Sequence, residues 1–535
     1  MPTYRSALCL VPIALGVLAL GCGADCTPRS DAPRRNLILV TVDTLRADHL
    51  GCYGSSTVRT PAIDRFAHEG ALFERAYAAA NSTVPSHLTL LTSLPLSAHG
   101  VLTNAGRLTR PVTALPALFA QAGYRTAAVV SAKHLGPEFA LGAALKDLDL
   151  YDVPRRLSVP SEAQATNERA FQWLRGSCRD PFFLWIHYWD PHMPYVPPPP
   201  YDTAYYDGDA TDARHDSMSA VTLGWQFYEK PRLRQILAGR ASETEALERD
   251  LGVDWSQLRA LIYEPVGLEA YLDQPAAALR ARRQLEDLAA FARARAPLQA
   301  GLSRWLAGVR DLRYPRAQYA GEVSYVDQEI GRLRTGLERM GLAERTVVVI
   351  TADHGESLGE HGIYFDHAGL YEETLRVPLI VWAPGVVGGG RQRRIARGID
   401  VAPTLLALSG LSVPPSMEGR ALFAEGEVEE VVAESAGRRQ IMIVDGQWKL
   451  IRTLASFYYV PAFTREVGTV ELYDLESDPG EERNVASVRP DVANALLRRL
   501  EGWLAAHPKP ADAHADTASG SSGQSGRLRA LGYVE

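Results

Sequence analysis

The chain has 535 residues, 46% of them hydrophobic and 22% charged, which are values of a globular protein too long for one ordinary core, so a large domain and a smaller one are expected. Its formal net charge of −7 excludes a general phosphate-backbone binder, because nucleic-acid affinity rests on clustered Lys and Arg. No nucleic-acid partner is expected.

Residues 1–22 read as an export signal. Arg5 supplies a thin positive start, residues 7–21 form an apolar run too short to span a bilayer comfortably, and Cys22 follows. Ala19-Leu20-Gly21-Cys22 resembles a bacterial lipobox, whose Cys is lipidated and becomes the mature N-terminus; an uncleaved short anchor and a plain secretory signal are the alternatives. All three place the body outside the cytoplasm. The lipobox reading makes the protein an exported lipoprotein of the cell envelope, on the periplasmic or outer-membrane face and tied to the membrane by an N-terminal lipid anchor. Cys26, Cys52 and Cys178 remain in the body, so at least one stays unpaired within the chain, and no spacing resembles a zinc motif. Cysteine chemistry is expected to be incidental.

Residues 23–35 form a polar linker, after which residues 36–42 (NLILVTV) read as a buried strand because the apolar run is continuous, not alternating. That strand ends at Asp43. Helical patterns at 61–69 and 113–122 and apolar strands at 126–130 and 182–186 follow. Residues 346–351 (TVVVIT) repeat the character of the first strand and end at Ala352-Asp353-His354. Strands alternating with helices predict an α/β fold, a large mostly parallel sheet flanked by helices, and such sheets place ligands at the carboxyl ends of their strands. Residues 201–316 lack strand-like runs and read as a helical insertion, plausible as a cap. The catalytic domain is thus expected to span 36–425. Short strands at 430–434, 440–444, 448–451 and 470–473, then a helix at 490–506, predict a C-terminal subdomain over 426–506, a small antiparallel sheet plus one helix. Residues 507–535 read as a flexible tail.

Asp353 beside His354 suits a divalent cation of intermediate hardness, and Asp43 joins them if both strands are central. Asn81-Ser-Thr-Val-Pro-Ser-His87 precedes an apolar-periodic run. Pro85 fits the first turn of a helix that Ser82 or Thr83 could cap, and a hydroxyl there also sits at the positive end of the helix dipole, where an anionic tetrahedral group is favoured. Taken by residues alone, a capped buried helix and a catalytic hydroxyl both remain open.

The ordered motifs Val42-Asp-Thr-Leu-Arg-Ala-Asp-His-Leu-Gly-Cys-Tyr-Gly54, Phe73-Glu-Arg-Ala-Tyr77, Thr83-Val-Pro-Ser-His87, Asp190-Pro-His192, Thr351-Ala-Asp-His-Gly-Glu-Ser-Leu-Gly-Glu-His-Gly362 and Glu471-Leu-Tyr-Asp-Leu-Glu-Ser-Asp-Pro-Gly-Glu481 resemble the sulfatase family of the alkaline phosphatase superfamily over about residues 36–506, apart from the insertion. The resemblance implies a metal-dependent hydrolase of sulfate esters. It places Asp43, Asp353 and His354 on the family's single divalent metal and Thr83 on its nucleophile, also a metal ligand. His87 replaces the Arg of the Cys/Ser-x-Pro-Ser-Arg signature. Asn104 is similar to a substrate-oxygen donor of phosphonate monoester hydrolases, Lys133-His134 to a Gly-Lys-Trp-His segment with one residue missing, and His192 to the histidine near the leaving group. His367 falls where many sulfatases carry a Lys. For Lys133 and His367 a solvated or structural role competes evenly; for His134 and His361 a structural role leads.

Two departures bear on mechanism. Position 44 is Thr where many sulfatases have Asp, and His354 stands where they have Asn; the latter resembles phosphonate monoester hydrolases, lipoteichoic acid synthases and phosphoethanolamine transferases. Thr83 cannot become the aldehyde that a primary Cys or Ser side chain yields. The implied alternatives are a phosphodiesterase, phosphonate monoester hydrolase or phosphoryl transferase using threonine, and a non-catalytic anion-binding lipoprotein. The expected substrate is a small-molecule, glycan or lipid sulfate or phosphate ester. The expected cofactor is one divalent ion, Ca2+ by family default, with His354 shifting the expectation toward Mn2+ or Zn2+.

Overall fold

A computed structural model describes residues 34–146, 148–154, 162–221, 305–306, 308–426, 428, 430–460 and 463–510. The export signal, most of the linker and of the insertion, and most of the tail lie outside these residues. Eight strands form the main sheet: β1 (Asn36–Val42), β2 (Ala71–Tyr77), β3 (Arg125–Val130), β4 (Leu150–Asp152), β5 (Phe182–Tyr188), β6 (Thr346–Ala352), β7 (Leu379–Trp382) and β8 (Gly390–Arg397), in the order β8-β2-β7-β6-β1-β5-β3-β4. Only β7 runs antiparallel to its neighbours. β1 lies between β6 and β5, parallel to both, with Val42 opposite Ala352 and Tyr188.

The unbroken apolar runs reflect burial on both faces. Ile38, Val40, Leu184, Ile186, Val348 and Ile350 point to one core, where the long helix α4 (Arg313–Arg339) contributes Tyr319, Val323, Ile330 and Leu333. Leu37, Leu39, Phe183, Trp185, Val347 and Val349 point to the other, where α2 (Thr83–Thr92) and α5 (Val401–Leu408) supply Val84, Leu88, Leu91 and Leu405. Helices α1 (Pro61–Glu69) and α3 (Ala163–Ser177) join the first side. β8 is an edge strand, and its Arg-rich sequence GRQRRIAR is the kind of charged edge that resists pairing with another chain.

A second sheet, β9 (Glu430–Glu434), β10 (Gln440–Asp445), β11 (Trp448–Thr453) and β12 (Val470–Asp474), is antiparallel in that order. Its Ile441, Ile443, Leu450 and Leu472 pack on Leu496 and Leu500 of α6 (Pro490–Ala506). Met442 and Val444, on the opposite face, join the first core of the main sheet, so the small sheet is continuous with the catalytic body.

Sequence patterning missed α4, which begins inside the expected insertion but continues 23 residues past its end at 316. It also missed β8, which has no apolar run. Cys52 is a free thiol, as the odd number of body cysteines required, and Cys178 is disulfide-bonded.

Leu184 is fully buried in a central strand. Leu184→Ala is expected to cost about 2–5 kcal/mol, read as a lowered urea midpoint, whereas Val488→Ala, at a side chain 74% exposed, should change stability by no more than about 0.5 kcal/mol.

Candidate active site

Asp43 and Asp353 are the residues that follow β1 and β6, and the register of those strands sets the two acids side by side at the carboxyl end of the sheet. His354 follows directly. Ligand atoms of Asp43, Asp353 and His354 all lie within 4.8 Å of one another, and all three side chains are buried. His354 Nε2 is 3.5 Å from Asp353 Oδ2 and 3.9 Å from Asp43 Oδ1. Its Nδ1–H donates to the carbonyl of Gly355 at 3.0 Å, which leaves the Nε2 lone pair facing the acids, the tautomer a metal-binding imidazole needs.

Both oxygens of Asp43 and Oδ2 of Asp353 have no hydrogen-bond partner although they are buried. Burial lifts the Asp43 carboxyl well above its ordinary range; burial and then the charge of Asp43 do the same to Asp353. Asp353 Oδ1 accepts the His354 N–H at 2.9 Å; the three other carboxylate oxygens, buried without a donor beside an imidazole lone pair, fit a divalent cation, since uncompensated buried charge is among the costliest features a fold can carry.

Thr83 is the first residue of α2. Its Oγ1 lies 3.3 Å from His354 Nε2 and is buried. The expected cap is corrected: Ser82 occupies the N-cap position without a side-chain bond to the helix, and Asn104 Oδ1 instead accepts the backbone N–H of Val84 at 2.8 Å and the Ser82 hydroxyl at 3.1 Å. A cap brought in from a distant loop leaves the Thr83 hydroxyl unspent. The helix start is tied to the metal-binding loop by the Ser86 hydroxyl, which donates to the Asp353 carbonyl at 2.6 Å. Asn104, expected as a donor to a substrate oxygen, thus uses its oxygen for the helix.

His87 departs from expectation. Its Nδ1–H donates to the Thr83 carbonyl at 2.8 Å, and its Nε2 is 3.1 Å from the Thr41 hydroxyl, which itself accepts the Trp185 indole N–H at 2.9 Å. Both ring nitrogens are occupied, and burial holds the ring well below the usual histidine range. His87 therefore braces Thr83 from behind and has no proton to offer a substrate anion.

His192 follows the Asp190-Pro191 bond after β5, and its ring stacks on Trp189 with centroids 3.9 Å apart. Its Nδ1–H donates to the Met193 carbonyl at 2.8 Å, and burial pushes its pKa down to about 3. A neutral ring with an Nε2 lone pair accepts a proton more readily than it gives one. His367 stands beside His354, centroids 4.3 Å apart, and 6.0 Å from His192; its Nδ1–H donates to the Asn81 carbonyl at 2.7 Å. Lys133 is drawn to Glu138 at 3.0 Å, and the buried His134 ring meets the edge of Trp189.

Sequence reasoning passed over His187. Its Nε2 is 3.4 Å from Asp43 Oδ2 and the side chain is wholly buried. The available signal was an imidazole next to the last residue of an otherwise apolar strand, one position beyond where the patterning ended that strand.

Comparison with known proteins finds related sequences and folds. The Sulfatase family model matches residues 35–411, and the model described as N-sulphoglucosamine sulphohydrolase, C-terminal, matches 359–505. The chain is 27% identical over 516 residues to N-acetylglucosamine-6-O-sulfatase of Bacteroides thetaiotaomicron, covering 89% of this chain and 86% of that protein. It is 24% identical to an arylsulfatase of Clostridium perfringens, over 87% and 94% of the two chains. A solved structure of a protein in complex with its substrate, D-glucosamine-2-N,6-O-disulfate, superimposes with a TM-score of 0.61 at 22% identity, over 90% of this chain and 99% of that one. The phosphonate monoester hydrolase of Agrobacterium radiobacter gives a TM-score of 0.59 at 20% identity, over 89% and 96%.

Asn104→Ala is expected to destabilise the protein by about 0.5–2 kcal/mol, while Asn104→Asp, which keeps an acceptor for the Val84 N–H, recovers most of that loss in thermal melts. The metal pair makes a pH prediction. Above about pH 4 the unfolded acids ionise while the metal-free native pair retains protons, so the native state binds more protons and its stability falls as pH rises. Added Mn2+ should therefore raise the melting temperature more at pH 8 than at pH 5. An equal effect at both pH values, or the same effect in Asp353→Asn, would count against this site as the metal centre.

Proposed function

The chain belongs to the sulfatase family of sulfate ester hydrolases, and we propose that it cleaves its substrate through Thr83 as nucleophile at a single-metal centre. The observation that carries this reading is the Thr83 hydroxyl at a helix N-terminus, 3.3 Å from the Nε2 of His354, the imidazole that clusters with the Asp43 and Asp353 carboxylates. A divalent ion held by Asp43, Asp353 and His354 supplies Lewis-acid polarisation and lowers the pKa of a bound hydroxyl; the imidazole in the set favours Mn2+ or Zn2+ over Ca2+.

The chain's own residues supply the rest. Thr83 Oγ forms a bond to sulfur or phosphorus as the bond to the ester oxygen breaks, and the hydroxyl proton passes by way of His192 Nε2 to the departing oxygen, which leaves as an alcohol; the proton that His192 takes in the hydrolytic step returns to Thr83. The positive end of the α2 dipole stabilises charge on the transferred group. His192 Nε2, neutral and unprotonated, accepts a proton from the water that then attacks the adduct and releases Thr83. His367, with Nδ1 committed to Asn81, presents Nε2 to the same space. His87 and His187 hold Thr83 and Asp43 in place.

The favoured substrate is a sulfated sugar, by analogy with the N-acetylglucosamine-6-O-sulfatase and the glucosamine disulfate complex. A second reading, hydrolysis of phosphonate monoesters or phosphodiesters, is favoured by Thr83 and His354 specifically, the pair that resembles lipoteichoic acid synthases and phosphoethanolamine transferases; the fold likeness to the phosphonate monoester hydrolase accommodates it. Export from the cytoplasm is part of the proposal, supported by the bonded Cys178, because structural disulfides persist in oxidising compartments. Among the described residues no helix is long and apolar enough to cross a membrane, so membrane attachment rests on the lipobox-like Cys22.

The test is a turnover panel of glucosamine 6-sulfate, an aryl sulfate, a phosphodiester and a phosphonate monoester. Thr83→Ala should abolish turnover of whichever ester is cleaved, and Thr83→Ser should retain it. His192→Ala should lower kcat by about 10²–10⁴ and leave metal content unchanged. Undiminished turnover by Thr83→Ala would refute the nucleophile assignment.

A further inference from the structure

At the seam between the catalytic body and the C-terminal sheet, three side chains outside the active site converge. His361 sits in the short turn Glu360–Gly362, Glu373 in the helical turn Glu372–Leu375, and Glu481 in the loop after β12. One ligand atom from each lies within 4.8 Å of the other two. The Glu481 side chain is wholly buried, that of Glu373 is 7% exposed and that of His361 14%.

The donor set is preorganised. The His361 ring lies flat on Tyr371, centroids 3.6 Å apart, and its Nε2 has no hydrogen-bond partner, the nearest carboxylate oxygen being Glu373 Oε1 at 3.7 Å. Glu481 Oε2 is fixed by the Glu372 N–H at 2.5 Å. Glu481 Oε1 receives no hydrogen bond, although the buried Lys449 ammonium approaches to 2.9 Å. Lys449 also binds Glu372 at 3.1 Å, so Glu372, Glu373 and Glu481 confront one lysine. Neighbouring cations are committed elsewhere: Arg46 to Asp48 and Glu360, and Arg465 to Glu471. Three carboxylates thus face one ammonium in a largely dry seam, an excess that only protons or a cation can relieve.

We propose that His361, Glu373 and Glu481 hold a second divalent cation, structural in role and separate from the catalytic centre. One imidazole nitrogen with two carboxylates suits Mn2+ or Zn2+, and its charge balances the excess at the seam. The site reaches the active site through the backbone: Gly355 N–H donates to the Thr374 carbonyl at 2.7 Å and Glu356 N–H to the Glu373 carbonyl at 3.0 Å. Holding Glu373 thus holds the loop that carries Asp353 and His354, and holding Glu481 docks the small sheet against it.

Metal content of the full-length protein, loaded with Mn2+ and freed of excess, tests the proposal independently of turnover. Two equivalents are expected in the wild type, one in Glu481→Gln, one in Asp353→Asn, and none in the double variant. Mn2+ should still raise the melting temperature of Asp353→Asn and not that of the double variant. If Glu481→Gln does not fold, His361→Asn, at the partly exposed rim, gives the same reading. A single equivalent in the wild type, or two retained in both Glu481→Gln and His361→Asn, overturns the second site; loss of the Asp353-dependent equivalent alone would instead indict the catalytic centre.

Discussion

Two carboxylates, Asp43 and Asp353, end neighbouring parallel strands at a point where no donor satisfies either side of Asp43 or the outer oxygen of Asp353. Strands in a sheet lie about 4.8 Å apart, so once β1 and β6 pair in this register their repulsion is unavoidable, and it is relieved only by protons or a cation. The surrounding structure is arranged around that constraint. Strong apolar burial of β1 and β6 on both faces supplies the stability against which the repulsion is held.

The imidazoles divide into two kinds according to what their second nitrogen touches. His354, His192 and His367 each give Nδ1–H to a backbone carbonyl, which fixes Nε2 as a lone pair turned to ligand or water. His87 has both nitrogens engaged, through Thr83 and Thr41, and serves as scaffold. Residues of one type in one pocket thus acquire different chemistry from a single hydrogen bond each.

Helix α2 begins with a hydroxyl that its own cap does not use. A helix start needs its amides satisfied, and the cheapest solution is a local side-chain cap. Here Asn104 performs that service from a separate loop, and the hydroxyl at the helix start remains directed at His354. The substitution of threonine for an oxidisable residue gives this arrangement its chemical weight, because a threonyl oxygen must be activated by its surroundings.

The sequence alone determined the α/β class, the strands that end in Asp43 and Asp353, helices α1 and α6, and the small antiparallel sheet, because each rests on local periodicity and propensity. It also brought together Asp43, Thr83, Asp353 and His354, through ordered motifs. Only the tertiary structure decided that Asn104 caps α2, that His87 is inward-facing and proton-poor, that His192 is an acceptor, and that His187 backs Asp43. Those are contacts between segments far apart in the chain, fixed by register and packing, and a residue's type does not encode which distant carbonyl its ring nitrogen will meet.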